Sequence, residues 1–230
     1  MRNSVPVIAI DGPSGSGKGT IARRVAADLG WHLLDSGALY RLVALAAQQC
    51  DLGQAAEPAL AQLAANLDVG FTVDEAGEES ILLDGRDVTG DVRTEECGRL
   101  ASAIAVLPMV RAALLQLQKD FRRAPGLVAD GRDMGTQVFP DADLKVFLSA
   151  SAQERAKRRY KQLKDKGIDV SLSALSRDIE DRDRRDSERS VAPLRPAEDA
   201  RLLDSSKLTI DEVTRTVLDW ADQVMSAKME

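Results

Sequence analysis

The spacing of apolar residues changes character several times along the chain, and each change predicts an element. Residues 5–10 (V-P-V-I-A-I) are apolar without alternation, the pattern of a strand covered on both faces in a parallel sheet. A helix is predicted over 18–29, closed by Gly30, and a second short strand over Trp31–Leu34, ending at Asp35-Ser36-Gly37. Ala38–Gln49 reads as the next helix, with Tyr40 and Arg41 near its start, and the Ala/Leu-rich stretch Asp51–Asn66 as another. The rhythm then turns β-like. Leu67–Val73 and Ser80–Leu83 flank an acidic turn, Asp74–Glu79, and Asp84-Gly85 and Thr89-Gly90 add turn signals, so 67–93 reads as a small antiparallel β insertion.

Helical residues resume behind Thr94, a cap candidate, break at Pro108, and continue over Val110–Arg123 to Pro125-Gly126. Leu127–Ala129 and Leu144–Leu148 predict the third and fourth core strands, and Leu202-Leu203 the end of the fifth. Ser151-x-x-Glu154 reads as a capping box opening a basic helix to about Lys166, followed by a charged helix over Ser171–Ser190. Thr209-x-x-Glu212 caps a last amphipathic helix with Ile210, Val213, Val217, Trp220 and Val224 on one side. Strands alternating with helices make this an α/β chain built on a five-stranded parallel sheet.

The turn between the first strand and helix carries the strongest chemistry. Gly12, four residues, then Gly17-Lys18 is the spacing of a phosphate-binding loop, in the strand–loop–helix context that such a loop requires. Glycines let successive backbone N–H groups turn inward, and the following helix offers its positive end to phosphate. Lys18 adds a mobile charge for the outer phosphates of a nucleoside triphosphate. Position 19 is glycine, so the hydroxyl expected to hold Mg²⁺ moves to Thr20, and a G-K-G-T ending resembles nucleoside monophosphate kinases more than GTPases.

Composition narrows the partners. The chain has 230 residues, enough for a full core, and a net charge of −6, which leaves no positive excess to neutralise a nucleic-acid backbone. No apolar run reaches the roughly 18 residues of a membrane span, and no basic start is followed by a long apolar segment. The two cysteines, Cys50 and Cys97, read as small buried hydrophobes rather than a disulfide. A monomer in a reducing cytoplasm, with small-molecule partners, is expected.

Asp-Gly-Arg-Asp occurs at 84–87 and again at 130–133. The first copy sits in the β insertion and reads as a turn. The second follows an apolar strand at the carboxyl edge of the sheet, where α/β enzymes bind ligands, and makes Asp130 a candidate for polarising Mg²⁺-bound water. Basic residues Arg155, Lys157, Arg158, Arg159, Lys161 and Lys164 fall on one predicted helix, and Arg182, Arg185, Asp186 and Arg189 share a face of the next, the arrangement of a lid whose arginines clamp a transferring phosphoryl group. His32, the single histidine, lies in an apolar strand and reads as a packed core residue.

V-I-A-I-D-G-P-S-G-S-G-K-G-T (7–20), L-L-D-S-G-A-L-Y-R (33–41), A-D-G-R-D-M-G-T (129–136) and the R-S-V-A-P-L run ending at Leu194 together resemble the bacterial cytidylate kinase family over nearly the whole chain. The resemblance implies a P-loop NTPase core, a β insertion in a monophosphate-binding domain, and a helical lid. It divides the chain into core (1–37), monophosphate-binding part (38–125), core (126–153), lid (154–190) and C-terminal core (191–230). The loop Gly12, Pro13, Ser14, Gly15, Ser16, Gly17, Lys18, Gly19 and Thr20 would hold ATP, with Arg158 of the lid nearby. Ser14, Ser36, Arg41 and Arg132 would grip the acceptor's phosphate. Ser102, Arg111 and Asp133 would read cytosine, a carboxylate accepting from the exocyclic amine. Arg182 and Asp186 would contact the sugar and Arg189 the phosphates, while Glu188 would point outward. The implied reaction is Mg²⁺-assisted transfer from ATP to CMP or dCMP, with Lys18, Arg132, Arg182 and Arg189 as its catalytic cations. The alternatives are a kinase for UMP, AMP or a metabolite, and a nucleotide-dependent switch. The switch lacks an Asn-Lys-x-Asp segment to read guanine.

Overall fold

The computed structural model describes residues 5–53, 56–73, 79–165, 167–189 and 191–227. In chain order its elements begin with β1 (Val7–Asp11), α1 (Lys18–Leu29), β2 (His32–Asp35), α2 (Ser36–Gln49) and α3 (Glu57–Ala65). There follow β3 (Val69–Val73), β4 (Glu79–Leu83), β5 (Arg86–Asp87), α4 (Thr89–Val92), α5 (Glu95–Ile104) and α6 (Pro108–Asp120). β6 (Leu127–Gly131), β7 (Leu144–Ser149), α7 (Ala152–Asp165), α8 (Leu172–Glu188), β8 (Arg201–Asp204) and α9 (Ile210–Ser226) complete them. Two compact units result, Met1–Leu34 with Phe121–Glu230, and Asp35–Asp120.

The larger unit is organised on β1, buried at every position, which is why its sequence shows no alternation. β1 pairs in parallel with β6 and with β7, and β7 with β8, in a five-stranded sheet of order β2-β6-β1-β7-β8. Ile8, Ile10, Val128 and Val146 pack with Ile21 and Val25 of α1 and Val213 and Val217 of α9. The chain reverses order about β1, and the ends of β1 and β6 lie side by side, Ile10 opposite Asp130 and Asp11 opposite Gly131. Gly12 and the second Asp-Gly-Arg-Asp therefore leave the sheet at the same edge.

The smaller unit packs α2 against α5 and α3 against α6, with Leu39, Leu42, Leu60 and Leu114 fully buried. Its antiparallel sheet has the order β3-β4-β5. Leu83 pairs with Arg86 around Asp84 (φ 50°) and Gly85 (φ 73°), so the first Asp-Gly-Arg-Asp is a two-residue hairpin turn with both central residues left-handed. The central residues of the acidic turn, 74–78, lie outside the described residues.

Several expectations are corrected. His32 is exposed, because β2 is an edge strand, and its Nε2 lies 2.9 Å from the Ala124 carbonyl. Cys97 is buried, but Cys50, at the C-terminal end of α2, is exposed. α3 starts at Glu57, with proline in its first turn, rather than at Asp51, whose φ of 53° is not helical. The Ser151 capping box forms by half. Its hydroxyl accepts from Glu154 N, but Ser151 N donates to Ser206 Oγ, and the Glu154 carboxylate accepts from Arg158 instead. The Thr209–Glu212 box forms completely, yet Ile210, at the first position of α9, is exposed. α8 ends at Glu188, so Arg189 follows it in extended backbone and Arg185 is exposed while Asp186 is buried. The four residues do not share one helical face.

Candidate functional site

The loop after β1 is built by close approach. A Cβ on Gly12 would stand 2.0 Å from the Leu148 carbonyl oxygen of β7, so any side chain there would displace the loop. Gly17 has a φ of 94° and opens α1 without a capping side chain, leaving the first-turn N–H groups of that helix to an anion. Lys18 is buried. Its Nζ donates to the Pro13 carbonyl at 3.4 Å and stands 3.9 Å from Asp130 Oδ1. The Ser16 hydroxyl is buried with no hydrogen bond within the described protein. Gly19 has its own reason: a Cβ there would lie 3.0 Å from Asp130 Oδ2, so glycine admits the carboxylate that approaches Lys18.

Three side chains brace this loop from behind. Arg158 of α7 donates to the Ser16 carbonyl at 3.2 Å and to Ser205 through both terminal nitrogens. Ser205 Oγ lies 3.1 Å from the Ser16 carbonyl and 3.0 Å from that of Ser149. Arg155 donates to the Ser14 carbonyl at 2.9 Å. Arg158 is thus at the loop as expected. Arg155 reads in sequence as one cation of the lid run with nothing to set it apart from its neighbours, and Ser205 carries no signal of its own.

Along the neighbouring strand end, Asp130 and Asp133 are buried. Arg132 Nε donates to Asp186 Oδ2 at 3.0 Å, joining β6's end to α8. Behind them, Asp11 receives Met134 N and Gly135 N at 2.8 Å each, one on each carboxylate oxygen. These bonds open a π-helical turn, Met134–Val138, that no sequence signal announced. Burial raises the Asp11 carboxyl from the usual 3.8 to about 7, against the lowering effect of those two backbone bonds, with Asp133 and Asp130 adding repulsion. Arg182 and Arg189 are half-buried in and just after α8, Arg189 donating to the Ala192 carbonyl, and Glu188 is exposed.

The remaining predicted residues lie in the smaller unit. Ser36 is buried at the start of α2, where Asp35 caps by accepting from Ala38 N at 3.0 Å. Arg41 donates to the carbonyls of Val92 (2.5 Å) and Thr94 (3.0 Å), and Gly98 leaves it room, since a Cβ there would meet its guanidinium at 2.6 Å. Ser102 is half-buried on α5. Arg111 donates to the Ala105 carbonyl at 3.1 Å and stands 5.9 Å over the Tyr40 ring.

Among the described residues no group of three or more His, Cys, Asp or Glu side chains is placed to hold a metal ion. The two residues expected to meet Mg²⁺ offer one hydroxyl, that of half-buried Thr20 in the first turn of α1, and one buried carboxylate, that of Asp130 at the end of β6. That suits an ion such as Mg²⁺, which keeps most of its waters and takes its other ligands from phosphates.

A family model described as cytidylate kinase matches residues 8–223. The cytidylate kinase of Aeromonas hydrophila subsp. hydrophila is 59% identical, covering 97% of this chain and 96% of its own length. That of Methylococcus capsulatus is 59% identical over 95% of this chain and 97% of its own. The enzyme of Pseudomonas paraeruginosa is 58% identical over 97% and 98%.

Proposed function

The chain belongs to the cytidylate kinase family, and from that premise we propose that it transfers the γ-phosphoryl group of ATP to the phosphate of CMP, and of dCMP, releasing ADP and the nucleoside diphosphate. The observation that carries this reading is the shared sheet edge, where Lys18 of the glycine loop stands 3.9 Å from Asp130 of the second Asp-Gly-Arg-Asp. A donor-phosphate cradle and a candidate acceptor-reading segment leave the sheet side by side.

The loop Gly12–Thr20 holds the ATP phosphates through its backbone N–H groups, with Lys18 on the outer ones and Arg158 beside the loop. Ser14, Ser36, Arg41 and Arg132 hold the acceptor's phosphate. Its oxygen attacks already ionised, so no general base is required. Lys18, Arg132, Arg182 and Arg189 meet the negative charge of the transferring group with fixed cations in a site that excludes water. The Thr20 hydroxyl and, through water, Asp130 would hold Mg²⁺, which would supply further neutralisation of the phosphate charge. Asp186 and Arg182 take the sugar. Closure of the α7–α8 lid keeps water from competing with the acceptor.

Asp133, with Ser102 and Arg111, selects the base. A buried carboxylate accepts from the exocyclic amine of cytosine but faces a carbonyl in uracil, and an unpaired buried acceptor costs about 1–3 kcal/mol. In this reading the partners are the two nucleotides, with no nucleic acid or membrane, and the protein is a cytoplasmic monomer. Among the described residues no single helix is long and apolar enough to cross a membrane.

The test is ADP release measured across CMP, dCMP, UMP and AMP. CMP and dCMP are expected to exceed UMP by roughly 10-fold or more in kcat/KM, the equivalent of about 1.4 kcal/mol. UMP or AMP turnover equal to that of CMP would remove the base-reading role of Asp133.

A further inference from the structure

Arg155 is the one cation of the α7 run whose residue is almost wholly buried, 3% exposed. Its stem packs on the loop, where a Cβ on Gly15 would lie 3.3 Å from Arg155 Cβ. All three of its nitrogens are spent on different pieces of structure. Nε donates to the Ala150 carbonyl at 2.9 Å, which holds the side chain against the start of its own helix. Nη1 donates to the Ser14 carbonyl in the middle of the phosphate loop at 2.9 Å, and to Asp183 Oδ1 at 2.9 Å. Nη2 donates to Asp183 Oδ2, so the carboxylate of α8 is held by both forks of the guanidinium.

Asp183 lies three residues before Asp186, and side chains three apart on a helix are neighbours. The two carboxylates fasten α8 at two points. Asp183 ties it through Arg155 to the phosphate loop, and Asp186 ties it through Arg132 to the end of β6. Arg182 stands next to the first fastening and Arg189 just beyond the second. A guanidinium spans loop and helix with a fixed planar geometry, which a lysine's single ammonium cannot reproduce.

We propose that Arg155, with Asp183, is a positioning pair that sets the register of α8 against the phosphate loop. It places Arg182 and Arg189 relative to the donor phosphates while touching neither substrate. The inference rests on the reading that these arginines clamp the transferring group. A clamp displaced by about an ångström is expected to cost up to roughly 100-fold in rate, with nucleotide affinity much less affected because the loop itself persists.

The experiment compares Asp183→Asn, Arg155→Lys, their double variant and Arg182→Met by steady-state kinetics with ATP and CMP, each checked for folding by thermal melting. Asp183→Asn keeps the side chain's shape at a partly exposed position, and it carries the test even if Arg155→Lys fails to fold. The expected result is a fall in kcat of about 10- to 100-fold for Asp183→Asn, with KM for both nucleotides within about threefold of the parent. The double variant should be little worse than either single one, as for two residues that act as a unit. A folded Asp183→Asn with kcat within twofold of the parent, or single effects that multiply in the double variant, would overturn the positioning role. Arg182→Met separates the two levels. Loss of transfer there with an active Asp183→Asn rejects only the pair, whereas a fully active Arg182→Met rejects the clamp reading on which the pair depends.

Discussion

At the end of β1 both oxygens of the Asp11 carboxylate accept backbone N–H groups, in a place sealed from solvent. Burial and the neighbouring Asp133 and Asp130 raise its pKa from 3.8 to about 7. Between those values the folded protein keeps a proton that the unfolded chain has released, so this group's contribution to stability falls as pH rises from about 4 to about 7 and is level above. At about 1.36 kcal/mol per pKa unit the full effect is at most about 4 kcal/mol. Stability of the parent relative to Asp11→Asn, from urea unfolding with chelator present, is therefore expected to be higher at pH 4.5 than at pH 7.5. A pH-independent difference would remove the assignment. Gly19 offers a second residue-scale prediction. Alanine at this position of α1 favours the helix by about 1 kcal/mol, yet its Cβ would crowd Asp130 at 3.0 Å. Gly19→Ala is expected to melt no lower than the parent while kcat drops on the order of 10-fold, measured by calorimetry beside the ADP-release assay.

At the scale of elements, the same short signature occurs twice with two outcomes. Thr209 and Glu212 complete a reciprocal capping box on α9, whereas Ser206 and Arg158 take the partners that Ser151 and Glu154 would otherwise have shared. Local spacing announced both boxes, but a tertiary partner, Ser206, and a local one four residues along α7, Arg158, opened one. Thr209→Ala should cost about 1 kcal/mol, a melting temperature lower by roughly 2–4 °C in a chain of this size, with kcat unchanged because α9 packs away from the loop on α1 and the sheet. A variant that melts with the parent would mean water caps the helix equally well. The β strands, most helices and the Asp84-Gly85 hairpin were legible because each depends on a periodicity or a turn residue within a few positions. The π-helical turn at Met134–Val138 was not, since it hangs on a carboxylate more than a hundred residues away. The end of α8 at Glu188 is not legible for the converse reason: a charged run has no apolar stripe to mark where the helix stops.

On the scale of the whole molecule, a ligand that binds only the folded state stabilises it by an amount set by its concentration over its Kd. A non-hydrolysable ATP analogue with Mg²⁺ at about 100 times Kd should add about 2.7 kcal/mol, raising the melting temperature by roughly 5–10 °C. Lys18→Ala is expected to melt near the parent without ligand, to lose most of that shift, and to abolish transfer. A full shift with normal turnover in Lys18→Ala would sink the reading of the loop.

Fold class, phosphate loop and family are legible along the chain because they are written in contiguous residues: an unalternating strand, glycines at fixed spacing, and a lysine at the mouth of a helix. Why position 19 is glycine becomes visible only in the folded chain, since it rests on Asp130 arriving from another strand. The same holds for Arg155, which is buried between loop and α8 instead of being one more cation of the lid run, and for His32 and Cys50, which are exposed rather than in the core. Residue type and spacing specify what a segment can form. Which charges are desolvated, and by which partner, depends on elements that meet only when the chain has folded.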